Sequence, residues 1–321
     1  MFGLTFLNAT SKTTTHRVVP FKIGRLLAVA GYVAGGYDSA YLSSIDKVTF
    51  PADTKSTLIA TLTTARGNVA GFANSGVAGY VVGGYGPSYR SDIDKVSFPA
   101  DTKTTLSATL TGPRQHPAGF ANSGVAGYSA GGYSGSAYVS GIDKITFPAD
   151  TKTTLSATLT NARGYTTGFA NSGVAGYVAG GYDGSNISGI DKVTFPADTK
   201  TTLSATLTTA RRYPTGFANS GVAGYAAGGS DSGGFISGID KVSFPADTKT
   251  TLSATLTTAR QSPTGFANSG VAGYAAGGSD SGGNVSGIDK VTFPADTKTT
   301  LSATLTTART ETTGFADSGS L

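Results

Sequence analysis

A unit of 48 or 49 residues, repeated six times, constrains the fold of this chain more than any other feature. One copy reads GFANSGVAGYVAGGYDGSNISGIDKVTFPADTKTTLSATLTTAR over residues 168–211. Every copy carries a Gly-Gly pair, which begins at Gly35, Gly83, Gly131, Gly180, Gly228 and Gly277. Because repeats of this length are typical of propellers, solenoids and related arrays, the six copies are expected to form six similar structural units.

Within each copy, four short segments have the composition of β-strands and are separated by turn residues. We name them A, B, C and D, and in the copy above, extended to residue 166, they read TTGFANS, VAGYVAGG, ISGIDKVTF and TTLSATLTT. Segment D alternates apolar and polar residues, with Leu203, Ala205 and Leu207 on one face, as a half-buried strand does. No segment carries apolar residues at helical spacing over a helical length. The chain is therefore predicted to be all-β.

Four antiparallel strands repeated six times predict a six-bladed β-propeller, in which four-stranded blades pack face to face around an axis. Segments A and B are rich in small residues such as Ala170, Gly173 and Gly176. These residues suit the strands nearest the axis, where the room is least. The alternative is an open β-solenoid, but the repeating units of solenoids are usually shorter and their ends need capping.

The order of the segments predicts how the ring closes. Segments B, C and D occur six times, first over about residues 26–66, whereas the last A segment, residues 312–319, has no B segment after it. An unpaired strand there would leave an exposed edge. The C-terminal strand is therefore predicted to complete blade 1, so that the propeller extends over residues 25–319.

Residues 1–24 are left over from the ring and carry strand-prone apolar residues. We predict that they form an arm that docks on other structural subunits, such as further copies of this chain. In the alternative interpretation, residues 17–24 add to blade 1 and the rest is disordered. The apolar residues assigned to the arm are Phe2, Leu4, Phe6, Val18, Val19 and Phe21.

The composition argues against catalysis and against a metal or cofactor. The chain has no cysteine, which removes disulfides and thiolate chemistry, and its two histidines, His16 and His116, lie far apart. The Arg that ends each copy, such as Arg211, recurs once per copy and is expected to be structural. No nucleophile–base pair and no phosphate loop is visible, and we find no odd polar residues that converge. We therefore predict a protein that is not an enzyme.

Charge and hydropathy indicate few further partners. The net charge of +5 arises from interleaved acidic and basic residues without a basic run, so no nucleic-acid partner is expected. No apolar stretch is long enough to span a membrane. The N-terminus lacks a basic region followed by a long apolar core, so no signal peptide is recognised.

The copies differ mainly in two of their four connections. All length changes fall between Gly-Gly and Ile-Asp, in the B–C loop, and the residues after the closing Arg, in the D–A connection, also vary. In an up-and-down blade these two connections share one end, while the nearly constant A–B and C–D turns share the other. One end of the propeller is thus predicted to be diverse and the opposite end uniform.

The diverse loops are rich in Tyr, Ser, Gly, Asn and Asp, a composition typical of recognition loops. The competing interpretation is that unconstrained loops have simply drifted. Under the first interpretation, the candidate residues for ligand or partner binding are Tyr37, Tyr41, Tyr85, Tyr89, Arg90, Tyr133, Tyr138, Tyr165, Arg212 and Tyr213.

Tyr177 stands three residues before the Gly-Gly at Gly180, an Ile-Asp strand follows a short loop, and a turn with Asp198 precedes the closing Arg211. With these features in this order and at this spacing, the copies resemble the kelch repeat. The resemblance covers residues 26–319 and implies a propeller. One departure is that the Trp usual on the kelch D strand is Leu here, as at Leu203. The repeat is also similar to kelch-like repeats of bacteriophage tail and virion proteins and of bacterial surface proteins.

The resemblance implies a non-enzymatic structural and binding module at a virion or extracellular surface. The favoured hypothesis is a bacteriophage virion or tail component that assembles through its N-terminal arm. A carbohydrate-binding, lectin-like propeller, with a glycan as its ligand, or a self-assembling cell-surface protein is the alternative. An intracellular kelch adaptor that grips a peptide ranks third, because no partner domain is attached.

Overall fold

Six four-stranded antiparallel sheets surround a central axis in the computed structural model, which describes residues 29–317. The predicted fold class, an all-β six-bladed propeller, is confirmed, and residues 29–317 contain no helix. In every blade the order from the axis outwards is A, B, C, D. Neighbouring A strands contact one another around the axis, so the six blades form a closed ring.

The strands are short and recur at the same place in each copy. The A strands are β4 (Ala70–Asn74), β8 (Ala118–Asn122), β12 (Thr167–Asn171), β16 (Thr215–Asn219), β20 (Thr264–Asn268) and β26 (Thr313–Ala316). The B strands are β1 (Ala30–Ala34), β5 (Ala78–Val82), β9 (Ala126–Ala130), β13 (Ala175–Ala179), β17 (Ala223–Ala227) and β21 (Ala272–Ala276). These twelve strands form the inner half of the propeller.

The outer half consists of the C and D strands. The C strands are β2 (Ile45–Thr49), β6 (Ile93–Ser97), β10 (Gly141–Thr146), β14 (Ile190–Thr194), β18 (Ile239–Ser243) and β24 (Ile288–Thr292). The D strands are β3 (Thr54–Thr57), β7 (Thr102–Thr105), β11 (Thr151–Thr158), β15 (Thr199–Thr202), β19 (Thr248–Thr251) and β25 (Thr297–Thr300). In blade 6 the B–C loop adds a small hairpin of β22 (Ser279–Asp280) and β23 (Gly283–Asn284).

The D strand begins earlier than its apolar pattern indicates. In blade 4 the regular pairing covers Thr199–Thr202, directly after the C–D turn, rather than residues 201–209. Beyond it the chain still bonds to segment C, because the Leu203 and Leu207 amides donate to the carbonyls of Ile190 and Ser188. Leu207 is buried, so the apolar alternation of segment D continues beyond Thr202, although its backbone pairing with segment C is irregular.

The ring closes as the segment order predicts. Strand β26 pairs antiparallel with β1, with Tyr32 opposite Phe315, so both ends of the described chain share blade 1. The aromatic rings of these two residues stack at 5.1 Å between centroids. Blade 6 then packs on blade 1 through Phe266, whose ring lies against Gly31, in the same way as at every other seam.

Each seam between blades is built on an aromatic ring that covers a glycine. Phe120 of β8 lies against Gly176 of the next blade, and a Cβ at Gly176 would overlap the Phe120 ring. The Phe120 ring also stacks on Tyr128, which stacks on Phe195 of the next blade at 5.2 Å. These aromatic residues are buried, so each seam combines large apolar burial with ring stacking.

Glycines also set the spacing at the axis. A Cβ on Gly168 would overlap the carbonyl oxygen of Gly119 in the neighbouring A strand, and the other five A strands repeat this contact. Side chains there would push the blades apart. The small residues predicted near the axis are thus explained by backbone-to-backbone contact between blades.

A buried ion pair crosses every seam. Arg309, at the end of blade 6, places its guanidinium 2.8 Å from the carboxylate of Asp46 in blade 1, and both side chains are fully buried. Thr306 donates its amide and its hydroxyl to the same carboxylate. The repeated Arg is therefore structural, as its periodicity predicts. It reaches the next blade rather than its own.

A second polar contact explains why the C–D turns barely vary. Asp247 in the C–D turn of blade 5 accepts a hydrogen bond from the Tyr177 hydroxyl at 2.7 Å and from the Lys192 ammonium at 2.6 Å, both in blade 4. Lys192 also lies over the Tyr177 ring. Since the same three residue types interact at each seam, a substitution in one turn would disturb the neighbouring blade.

Candidate ligand-binding face

The variable loops lie together at one end of the propeller, which we call the variable face. There the D–A connection of one copy pairs with the B–C loop of the next, and Gly67 and Tyr85 exchange two backbone hydrogen bonds of 2.8 Å. The A–B and C–D turns meet at the opposite end, the uniform face, where the Phe98 amide donates to the carbonyl of Val77.

Seven tyrosines form a continuous chain of ring contacts on the variable face, which we call the tyrosine arc. Two of them lie in each B–C loop of blades 1 to 3, and the seventh lies in blade 4. Successive ring centroids are 4.9 to 6.2 Å apart, mostly with edge-to-face geometry. In order the arc comprises Tyr37, Tyr41, Tyr85, Tyr89, Tyr133, Tyr138 and Tyr182.

The loop geometry makes these contacts. The first arc residue of each loop follows the Gly-Gly pair, whose second glycine has a left-handed φ, as at Gly36 with φ 110°. That turn sets up a small hairpin in which Tyr37 pairs with Tyr41, and Tyr85 with Tyr89. The second tyrosine of one loop then contacts the first of the next. The arc ends at Tyr182 because Asn186 takes the second position in the loop of blade 4 and Ser230 takes the first position in that of blade 5.

An arginine joins the arc to residues nearer the axis. The Arg212 guanidinium lies 5.3 Å from the Tyr182 ring centroid and 5.6 Å from that of Tyr213, both within cation–π distance. Tyr165 contacts Tyr138 and Tyr182 of the arc as well as Tyr213. The aromatic surface therefore continues from the outer loops to the axis.

At the axis, one residue from each blade forms a ring around the channel, which we call the channel-mouth ring. Each stands two positions after the closing Arg and has a left-handed φ between 49° and 62°. Their backbones are joined in sequence, for example by the Tyr213 amide donating to the Tyr165 carbonyl at 2.9 Å. The ring comprises Asn68, His116, Tyr165, Tyr213, Ser262 and Glu311.

The side chains of this ring divide into an aromatic and a polar part. His116, Tyr165 and Tyr213 contact one another, with centroids 4.3 to 5.2 Å apart. Burial lowers the pKa of His116, so its imidazole is neutral at pH 7. Burial likewise raises the pKa of Glu311, which lies next to Asn68 in the ring. Aromatic surface thus lies beside carboxyl and amide groups at one opening.

The structure brings most of the sequence candidates together on the variable face. Tyr37, Tyr41, Tyr85, Tyr89, Tyr133 and Tyr138 lie in the arc, and Tyr165, Arg212 and Tyr213 lie between the arc and the axis. Arg90 is engaged, because its Nε donates to Asp92, which also pairs with Arg66. The predicted arm, with Phe2, Leu4, Phe6, Val18, Val19 and Phe21, lies outside the described residues and stays a prediction.

The expectation that no odd polar residues converge is wrong. Asn68, His116, Ser262 and Glu311 occupy the same position in four copies, and the ring brings them together at the channel mouth. Tyr182, which was not among the candidates, completes the tyrosine arc. Equivalent positions lie 48 or 49 residues apart in the sequence, and only a closed ring brings them to a common axis. Their convergence is therefore not visible in the sequence order. The sequence signal that could have identified these residues is the variation between copies at the second position after each closing Arg.

Within residues 29–317 no three His, Asp or Glu side chains are grouped so as to hold a metal ion. No helix that could cross a membrane occurs in the same part of the chain.

Comparison with known proteins adds no relative to these observations. No protein-family model matches the chain, and no curated protein matches it.

Proposed function

We propose that this protein is a non-enzymatic structural and binding module of a surface-exposed assembly, and that the variable face holds its ligand. The tyrosine arc is the observation that carries the proposal. The copies share one core and one uniform face, yet seven tyrosines contact one another in succession on the variable face of four adjacent blades. Tyrosine supplies rigid amphipathic contact area at low entropic cost, which suits recognition.

The arc favours selected recognition loops over loops that have drifted. Drift would place aromatic residues independently in each loop, whereas here the second tyrosine of one loop contacts the first of the next at 5.7 to 6.2 Å. The arc residues are half-buried, apart from Tyr37, which is 37% exposed. Their rings therefore form a packed surface that still faces solvent.

The first and last described residues, Val29 and Asp317, lie at the uniform face, which supports attachment there. Val29, where the described chain begins, accepts a hydrogen bond from the amide of Phe50 in a C–D turn, and Asp317 pairs with Ala30 and Gly76 at the same end. A ring of valines on that face, each 46 to 47% exposed, comprises Val77, Val125, Val174, Val222 and Val271. Attachment there would leave the variable face free for a ligand.

The setting we propose is a bacteriophage virion or tail. It rests on the resemblance of the copies to kelch-like repeats of such proteins, together with the division of the molecule into a uniform and a diverse end. A rigid ring suits such a part, because its blades are joined by buried ion pairs and stacked aromatics at all six seams.

Removal of residues 1–22 is expected to abolish assembly while the propeller still folds. The reason is that all six four-stranded blades are complete within residues 29–317, with β26 as the A strand of blade 1, whereas the arm is proposed to carry the assembly contacts. Analytical ultracentrifugation or electron microscopy would measure assembly, and thermal melting followed by circular dichroism would measure folding. A truncated protein that assembles like the full chain would show that the arm hypothesis is wrong.

The double substitution Tyr89→Ala and Tyr138→Ala is expected to weaken binding to cells at least about tenfold, since truncating central aromatic residues of an interface commonly costs 2 kcal/mol or more. Labelled protein would be applied to a panel of intact bacterial strains, and saturable binding to at least one strain is expected. Val125→Ser, on the uniform face, is the matched control and should bind normally. Binding that survives the double substitution, or no saturable binding to any strain, would contradict the proposal.

A further inference from the structure

The channel mouth has an unused hydrogen-bonding group next to an open space. Asn68 is 7% exposed, and its Oδ1 has no hydrogen-bond partner among the described residues. Its Nδ2 donates to Gln115 Oε1 at 3.3 Å. The hydroxyl of Thr166 is also buried and unpartnered. Both residues line a cavity of about 70 Å³.

A buried acceptor without a donor lowers stability, so such a group indicates a missing partner. The cavity is also several times larger than the roughly 10–15 Å³ that one water needs. Since the six ring positions carry five residue types while the neighbouring strands are alike, the mouth is specialised beyond what the fold requires. These observations identify a site separate from the tyrosine arc.

We infer that the channel mouth binds the terminal sugar of a neutral glycan, with Asn68 and Glu311 accepting hydrogen bonds from its hydroxyls and the aromatic part of the ring packing on its apolar face. This inference rests on the proposed function, because it names the ligand of the same variable face.

The donor and acceptor inventory favours a ligand rich in hydroxyls. Asn68 Oδ1 and the Glu311 carboxyl require donors, whereas the hydroxyls of Thr166 and Ser262 can donate or accept. A sugar presents adjacent hydroxyls that serve both roles. Its flat carbon face can pack on His116, Tyr165 and Tyr213, whose rings contact one another. Small-molecule sites typically combine such an apolar wall with a few placed polar groups.

The charges at the mouth argue for a neutral ligand. His116 is neutral at pH 7, and the other five residues of the ring include no basic side chain, so an anionic sugar would find no positive partner within the channel-mouth ring. Arg212, the residue before Tyr213 of the ring, is held against the faces of Tyr182 and Tyr213. Glu311 interacts with the Asn68 side chain, which in turn contacts Gln115, and with the hydroxyl groups of Tyr41 and Tyr213.

The remainder of a glycan would have an aromatic path to follow. Tyr165 contacts both Tyr138 and Tyr182, so the wall of the mouth continues directly into the arc. The terminal sugar would lie at the axis, and the following sugars would extend outwards over blades 3 and 4. This placement predicts that the end of the glycan decides specificity and that the arc adds affinity.

An array of neutral oligosaccharides with different terminal sugars, printed beside sialylated and sulfated versions, tests the inference. The full chain is expected to bind at least one neutral glycan, and Asn68→Gly and Glu311→Gln are each expected to weaken that binding at least about tenfold. Glycine is used at residue 68 because it accepts the left-handed φ of 57°. Thermal melting would verify folding, and Val174→Ser on the uniform face is the matched control.

The outcomes separate this inference from the proposed function. Loss of cell binding in Tyr89→Ala/Tyr138→Ala, together with unchanged binding in Asn68→Gly and Glu311→Gln, would overturn the sugar site and leave the binding face intact. Binding of only anionic glycans, or of no glycan on the array, would also overturn it. Cell binding that survives the tyrosine substitutions would contradict the proposed binding face, and glycan binding that survives them at full strength would show that the arc does not hold the remainder of the glycan.

Discussion

Replacing Arg309 with methionine is expected to lower the free energy of unfolding by about 3–5 kcal/mol at pH 7, because the substitution leaves the Asp46 carboxylate buried without its cation. Asp46 and Arg309 are both fully buried and lie 2.8 Å apart across the seam that closes the ring. Urea unfolding followed by circular dichroism would measure the change.

The matched control for this prediction is Lys55→Met. Lys55 lies 3.9 Å from the same carboxylate but keeps solvent contact, so its removal is expected to cost less than about 1 kcal/mol. Arg163→Met provides a second comparison, since Arg163 pairs with Asp191 at an internal seam. In a closed ring all seams are equivalent, and the two arginine substitutions should have similar effects. If Arg309→Met lowered the free energy of unfolding much less than Arg163→Met does, that result would contradict closure of the ring.

The effect of Arg309→Met should also depend on pH. Burial alone would raise the pKa of Asp46, but hydrogen bonds from Thr306 and the charge of Arg309 outweigh it and hold the pKa below the ordinary 3.8. A lowered pKa contributes stability above the unfolded value, and that stability is lost as the pH falls through the folded value. The difference between the wild-type protein and the variant should therefore narrow below about pH 3.8.

Gly168→Ala is expected to lower the free energy of unfolding by about 3 kcal/mol, at the upper end of what overpacking costs. The added Cβ would overlap the carbonyl oxygen of Gly119, and backbone of the neighbouring blade cannot rotate away as a side chain could. The overlap could be relieved only if the two A strands moved apart. That movement would disturb all six contacts between A strands around the axis. Urea unfolding would measure this change as well.

Gly238→Ala is the control for the axial substitution. A Cβ at Gly238 would meet its nearest atom, in Ile236, at 3.7 Å, an ordinary van der Waals contact. The change is expected to lie within about 0.5 kcal/mol of the wild-type protein. Equal effects of the two substitutions would show that glycine at the axis is not required by contact between blades.

Most of the architecture followed from the repeat. The strand-like segments predicted six four-stranded blades, and the unmatched A segment predicted the pairing of β26 with β1. Both were predictable because alternation and turn residues act locally, and because an unpaired strand is unfavourable wherever it lies. The apolar alternation of segment D was less informative. Irregular pairing lets Leu203 and Leu207 remain on one face after the regular ladder has ended.

The candidate site was predictable only in part. Variation between copies indicated the B–C and D–A loops, and most tyrosines chosen from them lie in or beside the arc. The channel-mouth residues Asn68, His116, Ser262 and Glu311 were missed, although each varies between copies. Within its own copy, each of them is a single polar residue in a loop, so no local pattern groups the four.

The sequence by itself determined the number of blades, the strand order and the end of the molecule that varies, since these properties depend on periodicity and on short-range alternation. Only the tertiary structure decided which residues meet. A closed ring converts one position in a repeat into six neighbours around an axis. It thereby places Phe120 on Gly176, Arg309 on Asp46 and His116 beside Tyr165, contacts that no local sequence pattern contains.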